Sequence, residues 1–348
     1  MLLDIRKQFV LTSILSIVIL LSIAPFATAE TTVFKIATIS PDGTSWMKRM
    51  RDGAAVIEKR TSGRVKFKFY PGGVMGNDQS VLRKIRIGQL QGGALTDGGM
   101  SKIYTGTQIY GVPFMFRSYD EVDYIRSRID KVISDGLEHK GFVTFGFAEG
   151  GFAYFMSRKP LQSADDVKGQ KVWVPAGDRL ARTLFETGGI SPISLSLADV
   201  MTGLQTGLIN TVIASPIGAI ALQWYTKVKY MTDIPLVYIY AMLAIDSKAF
   251  NRLSTNDQAI VREVMGKIYQ EIDRQNRLDN AEARKALRKQ GINFVTITPE
   301  ERQRWQTVAD KAEPKWKEEK LFSAELYDRV VRMLEKYRTA QLSTKNSK

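Results

Sequence analysis

The patterned part of the chain begins at Thr32, where Val33-Phe34-Lys35-Ile36-Ala37 reads as a strand that ends in the turn Ser40-Pro41-Asp42-Gly43-Thr44. Apolar residues then fall at Trp46, Met50, Ala54 and Ile57, the three- and four-residue steps of one helix face. Ser62-Gly63 closes that helix, Val65 to Tyr70 alternates as a second strand, and Pro71-Gly72-Gly73 turns the chain. Helical spacing returns from Asp78 to Gly88 through Val81, Leu82, Ile85 and Ile87, and Gly92 to Gly99 is a short strand opening into a glycine-rich tip. Ser118 and Glu121 have capping-box spacing, which predicts a helix from Asp120 to Glu138, followed by a strand from Phe142 to Phe147. Glu149 to Tyr154 is where the pattern predicts a crossover into a second lobe.

The second lobe is organised around Gly169 to Trp224. A strand over Lys171 to Val174 meets Pro175 and Gly177, and Asp178 stands as N-cap before Leu180, Ala181, Leu184 and Phe185. A further apolar run, Asn210 to Ala214, ends at Ser215-Pro216-Ile217-Gly218, and Gln223 to Lys229 is expected to be helical. Pro235 to Ile245 reads as a return strand between lobes. From Thr255 the texture changes to long charged helices, Asp257 to Gln290 and Pro299 to Leu342, separated by Gly291 and a short strand at Asn293 to Ile297. Trp305, Val308, Ala312 and Trp316 mark the apolar face of the second of these. Strands thus alternate with helices twice over, which gives an α/β chain of two lobes. One lobe is expected from residues 30–150 with about 241–280, the other from 151–240 with about 281–342, leaving 343–348 as a frayed tail.

Composition narrows the chemistry. The 348 residues contain no cysteine, so disulfides, thiol nucleophiles and cysteine metal sites are excluded, and the single histidine, His139, sits in the polar helix end Glu138-His139-Lys140-Gly141. No metal site and no cofactor are expected. The net charge of +14 comes from Lys and Arg interleaved with Asp and Glu, without the aromatic-studded basic stripe that nucleic acid requires. The glycines of 92–99 match neither the P-loop nor the dinucleotide fingerprint.

The N-terminus sets the compartment. Arg6 and Lys7 precede an apolar run from Phe9 to Ala24, and Ala27-Thr28-Ala29 supplies small residues before Glu30. This predicts a signal peptide over 1–29, cleaved after Ala29, and a periplasmic chain that does not insert into the membrane after cleavage.

A set of residues carries a family resemblance: Tyr70 to Asp78, Ile85 to Leu90, Pro113-Phe-Met-Phe116, Asp120-Glu121, Gly169-Gln-Lys-Val172, Val174-Pro175, Leu204-Gln-Thr-Gly207 and Ser215-Pro216. In these, and over nearly the whole exported chain, the sequence resembles the TRAP-type (tripartite ATP-independent periplasmic) solute-binding proteins of the dicarboxylate-transporter class. The resemblance implies a two-lobed periplasmic-binding-protein fold of mixed sheets flanked by helices, with long C-terminal helices packing across the lobes. It also implies a non-enzymatic receptor that closes on a small organic solute, an organic acid, with an aromatic acid left open. Its partners would be the small and large integral membrane subunits of a sodium-driven transporter.

The resemblance also exposes a departure. Where that family has an arginine for the ligand carboxylate, Lys171-Val-Trp-Val-Pro175 has Trp173, and the preceding strand shows Phe152-Ala153-Tyr154. The residues expected at the crevice are Trp173, Thr96, Asp97, Ser215, Asp178, Arg179, Phe152 and Ser40. Trp173 either walls the crevice or packs beneath it. Arg179 either replaces the arginine or lies on the helix surface. With Trp173 at that position, an aromatic acid, a neutral polyol and a cation all remain open. An extracytoplasmic sensor subunit would use the same binding chemistry, and an exported α/β enzyme would need a base or carboxylate pair that the sequence does not offer.

Overall fold

A computed structural model describes residues 31–346, so the leader expected at 1–29 lies outside it. Strand β1 (Thr32–Thr38) lies between β2 (Val65–Tyr70) and β3 (Gly92–Thr96), parallel to both, with helix α1 (Ser45–Arg60) and helix α2 (Asp78–Arg86) as the connections. Phe34 and Ile36 face α1 and pack with Met50 and Ile57, while Ala37 on the other face packs with Val81, Leu82 and Ile85 of α2. The alternation in β1 therefore serves two layers, as helix-covered sheets require.

A short helix α3 (Asp97–Met100) and a 3-10 stretch (Thr105–Gly111) lead to α4 (Tyr119–His139). Ser118 caps α4 by accepting from Glu121 N at 3.3 Å. His139 lies in the last turn, its Nδ1 against the Asp135 carbonyl.

The next strand departs from expectation. β4 runs unbroken over Phe142–Ser157, so the predicted crossover at Glu149 to Tyr154 is the interior of one 16-residue strand. Its partner is β9 (Val237–Asp246), antiparallel, with register shifts between Thr144 and Phe147 and between Glu149 and Gly151. β9 also pairs with β3, whereas the far end of β4 pairs with β7 (Thr211–Ala214) and β8 (Tyr230–Thr232). The order is β10-β8-β4-β9-β3-β1-β2, with β10 at Asn293–Val295 and β7 also on β4. Two long strands thus join the halves, with irregular pairing at the junction, where a sheet bends most readily.

The second half carries α5 (Ala164–Val167), β5 (Trp173–Pro175), α6 (Arg179–Thr187), β6 (Ile193–Leu195), α7 (Val200–Thr206) and α8 (Pro216–Ala221). β5 and β6 form a separate parallel pair. The helix expected over Gln223 to Lys229 is only a 3-10 turn, Trp224–Thr226, and β8 follows it. After the short α9 (Ser247–Phe250), helix α10 (Thr255–Lys289) runs roughly 50 Å. It packs against α1, β4 and α8, elements of both halves.

The last segment is two helices, not one: α11 (Pro299–Glu318) and α12 (Ala324–Asn346), broken by Lys320 at φ 52°. α11 packs on α6 and α12 on α4, so the C-terminal helices cross both halves. No described helix is long and apolar enough to cross a membrane.

Candidate functional site

Three of the polar residues expected at the crevice sit at helix starts. Thr96 caps α3, accepting from Gly99 N at 3.0 Å; Asp178 caps α6, accepting from Ala181 N at 3.0 Å; Ser215 caps α8, accepting from Gly218 N at 3.3 Å. Each stands at a strand end, because a strand feeding a helix leaves backbone N–H groups that a short side-chain oxygen satisfies. Thr96 is further fixed by donating its hydroxyl to Asp78 Oδ2 at 2.6 Å.

Asp97 follows Thr96 and is partly buried. Burial, the Asp178 carboxylate and, more weakly, the Asp78 carboxylate push its carboxyl up to about 7. Burial also raises Asp178 and Asp78. Asp97 comes from the β1–β3 half and Asp178 from the β5–β6 half, so the charge of one half is felt by a carboxyl of the other. The turn before Asp178 closes the approach: Gly177 has φ +90°, and a Cβ there would stand 2.8 Å from Gln79 Nε2 of α2.

The other expected residues are placed differently. Trp173 is 3% exposed and lies in the apolar cluster of the second half. Its ring meets Trp224 edge-on at 5.2 Å, and Nε1 donates to the Leu195 carbonyl at 3.0 Å. Both the ring and the single donor are engaged within the second half, which favours the packing alternative. Phe152 is 5% exposed, against Tyr119 at 4.9 Å and Tyr238 at 5.7 Å. Arg179 pairs on the surface with Glu319, the residue that follows α11. Ser40 is held in its own loop, its hydroxyl 3.1 Å from that of Thr44 and its carbonyl accepting from Gly72 N at 2.9 Å.

One group of residues escaped the sequence reading. Asp273, Asn276, Arg277 and Asn280 occupy one face of α10 and meet the middle of β4. Asp273 accepts from Glu149 N at 2.8 Å, Asn276 donates to the Glu149 carbonyl at 2.7 Å, and Asn280 donates to the Gly150 carbonyl at 3.1 Å. Asn280 also accepts from Ile217 N at 3.1 Å, reaching the first turn of α8. Gly151 permits the approach, since with φ +84° a Cβ there would stand 2.7 Å from Asn280 Nδ2. The Glu149 side chain, fully buried, receives Tyr238 Oη at 3.0 Å and Arg277 Nη2 at 2.6 Å, and Arg277 also pairs with Asp123. Burial raises the Glu149 carboxyl, while Arg277 draws it back down. The signal was present as polar residues at steps of three, one and three, but in a charged helix such residues read as a solvated face.

Two α/β halves joined by a pair of long strands, each with polar helix starts at its strand ends, are the architecture of a solute-capture receptor. The chain belongs to the bacterial extracellular solute-binding protein family 7, whose model matches residues 36–320. It is 26% identical over 288 residues to the C4-dicarboxylate-binding periplasmic protein DctP of Vibrio cholerae, covering 79% of this chain and 83% of that one. A solute-binding protein of Chromohalobacter salexigens is 24% identical over 246 residues, 70% of this chain and 73% of its own. The fold matches a TRAP periplasmic solute-binding protein of Ralstonia eutropha H16 with bound (S)-2-acetolactate, at TM-score 0.80 and 22% identity, covering 87% and 99% of the two chains.

Proposed function

We propose that the chain is the periplasmic receptor of a TRAP-type transporter, capturing a small organic acid between its halves and delivering it to small and large membrane subunits. The observation that carries this reading is the pair of halves joined through β4 and β9, each with a polar helix start at a strand end, Thr96 with Asp97 in one and Asp178 in the other. A solute seated there touches both halves at once, and only a closed form makes both sets of contacts. The family membership and the dicarboxylate-binding relative supply the solute class.

With Trp173 at the arginine position of the resemblance, Asp97 offers another route to a carboxylate. Its carboxyl, already pushed up to about 7, takes a proton more readily when an anion arrives, and the neutral acid then donates an O–H to that anion. The same pair favours a second reading, a solute bearing an amine, for which both carboxylates would be ionised.

The test is a thermal-shift screen of dicarboxylates, aromatic acids, sugar acids, polyols and amines, run at about pH 6 and about pH 8. Ligand at about 100 times its dissociation constant adds roughly 2.7 kcal/mol to the folded state, which moves the melting point by degrees. An organic acid is expected to shift it more at the lower pH, and an amine more at the higher. No shift from any class in a folded sample would sink the receptor reading.

A further inference from the structure

The outer edge of the first half carries cations without carboxylate partners. In the pairing of β1 with β2, Lys35 stands opposite Lys68 and Val33 opposite Lys66, and side chains that share a register position share a face. This is the face on which α2 packs, because Ala37, two residues beyond Lys35, joins Val81 and Ile85. β1 at Lys35 is bonded to the chain leaving α2, with Gln91 N donating to the Lys35 carbonyl at 3.0 Å. α2 itself turns Arg83, Arg86 and Ile87 outward, along a shallow groove lined by Ser80, Arg83, Lys84, Arg86 and Ile87.

Among the described residues, Lys66 is paired with Glu58, but Lys35, Lys68, Arg83, Lys84 and Arg86 take part in no ion pair. Lys84 donates to the Met75 carbonyl, Arg83 to Ser80 Oγ, and Lys68 lies over the Tyr70 ring at 5.5 Å. Elsewhere, Arg126 of α4 and Arg277 and Arg284 of α10 pair with carboxylates. Aliphatic side chains are exposed in the same region: Ile87 at 75%, Val74 at 72% and Val33 at 39%.

We infer that this face of β1, β2 and α2 docks on the surface of an anionic phospholipid bilayer. A sheet face and the side of a helix present the cations broadly, not in a pocket, which suits a planar charged surface. Exposed aliphatics among unpaired Lys and Arg are the composition of interfacial binding, in which apolar groups enter the headgroup layer beneath an electrostatic attraction. An acidic protein surface would also attract the charge, but the interspersed isoleucine and valines favour lipid. The inference uses none of the residues proposed to hold the solute and stands independently of it.

The test is flotation of the purified exported protein with phosphatidylglycerol-containing vesicles and with phosphatidylcholine vesicles, across a salt series. Binding is expected to the anionic vesicles only and to fade as salt rises beyond about 0.15 M. The double variants Arg83→Glu/Arg86→Glu and Lys35→Glu/Lys68→Glu are each expected to lose at least about tenfold in vesicle affinity while keeping the wild-type melting point. Ile87→Ser is expected to weaken binding without altering its salt dependence. Equal partition to both vesicle types, or charge-reversed variants that still bind, would overturn the inference. So would binding only to vesicles that carry reconstituted transporter subunits, which would assign the face to a protein partner. If a variant fails to fold, the comparison of lipids and the salt series on the natural chain still decides.

Discussion

Arg277 Nη2 lies 2.6 Å from Glu149 Oε2, and this pair fastens the long helix α10 to the middle of β4, between the two halves of the chain. Glu149 has no access to solvent, so its charge is tolerated only because Arg277, Tyr238 and the backbone surround it. The joint between the halves is therefore polar inside.

Arg277→Met is expected to destabilise the chain by about 3 kcal/mol, because it leaves a buried carboxylate without its cation. Burial then holds the Glu149 carboxyl above its ordinary value, so the folded chain keeps a proton that the unfolded chain gives up, and stability falls as pH rises through that range. Urea midpoints measured across pH check this. A loss independent of pH would mean that Glu149 is not the group left exposed to burial.

Asp97→Asn is expected to raise the melting point near pH 8 and to have little effect well below pH 4. The Asp97 carboxyl is pushed up to about 7, so its favourable contribution is complete below the ordinary carboxylate value and disappears as pH rises through 7. Above that pH the buried charge is a cost that the amide lacks. A variant melting below wild type at pH 8 would show that Asp97 is stabilised as a carboxylate by contacts that outweigh burial.

For Trp173→Ala we expect a loss of about 3–5 kcal/mol, the cost of a large cavity beside Trp224 and of the stranded Leu195 carbonyl. Trp173→Phe should recover part of it. The check is a denaturant titration. A near-wild-type midpoint for the alanine variant would return Trp173 to the crevice wall.

Asn280→Ala removes one side chain from three partners, the Gly150 and Asn276 carbonyls and Ile217 N. A loss of about 1–3 kcal/mol is expected from those unmet groups. Solute affinity, read by calorimetry, is expected to fall as well, since the first turn of α8 loses its tie to β4. Affinity unchanged at reduced stability would confine Asn280 to a structural role.

Much of the architecture was legible because burial imposes a period. The steps from Val81 to Ile85, the alternation of Val65 to Tyr70 and the tryptophan spacing of α11 each named a face that the structure buries or half-buries. Continuity was harder to read. Gly146, Gly150 and Gly151 look like punctuation, yet β4 runs through them, since tertiary pairing with β9 outweighs the local preference of glycine for turns. Among the expected site residues, the sequence read Asp178 as a helix cap and left Thr96 and Ser215 as strand-tip residues, which the structure shows to be caps as well. It left the orientation of Trp173 open, because an indole on a short strand looks the same from either side until the packing partner, Trp224, is known.

The capping role of Thr96, Asp178 and Ser215 has a consequence for how such a receptor diversifies. At each position the side-chain oxygen initiates a helix, so under the proposed function a substitution made there to alter solute preference would tax folding in the same step. New specificities are more accessible through neighbours free of that double duty, such as the side chain of Asp97. The crevice rim is, in evolutionary terms, a scaffold that constrains where novelty can enter.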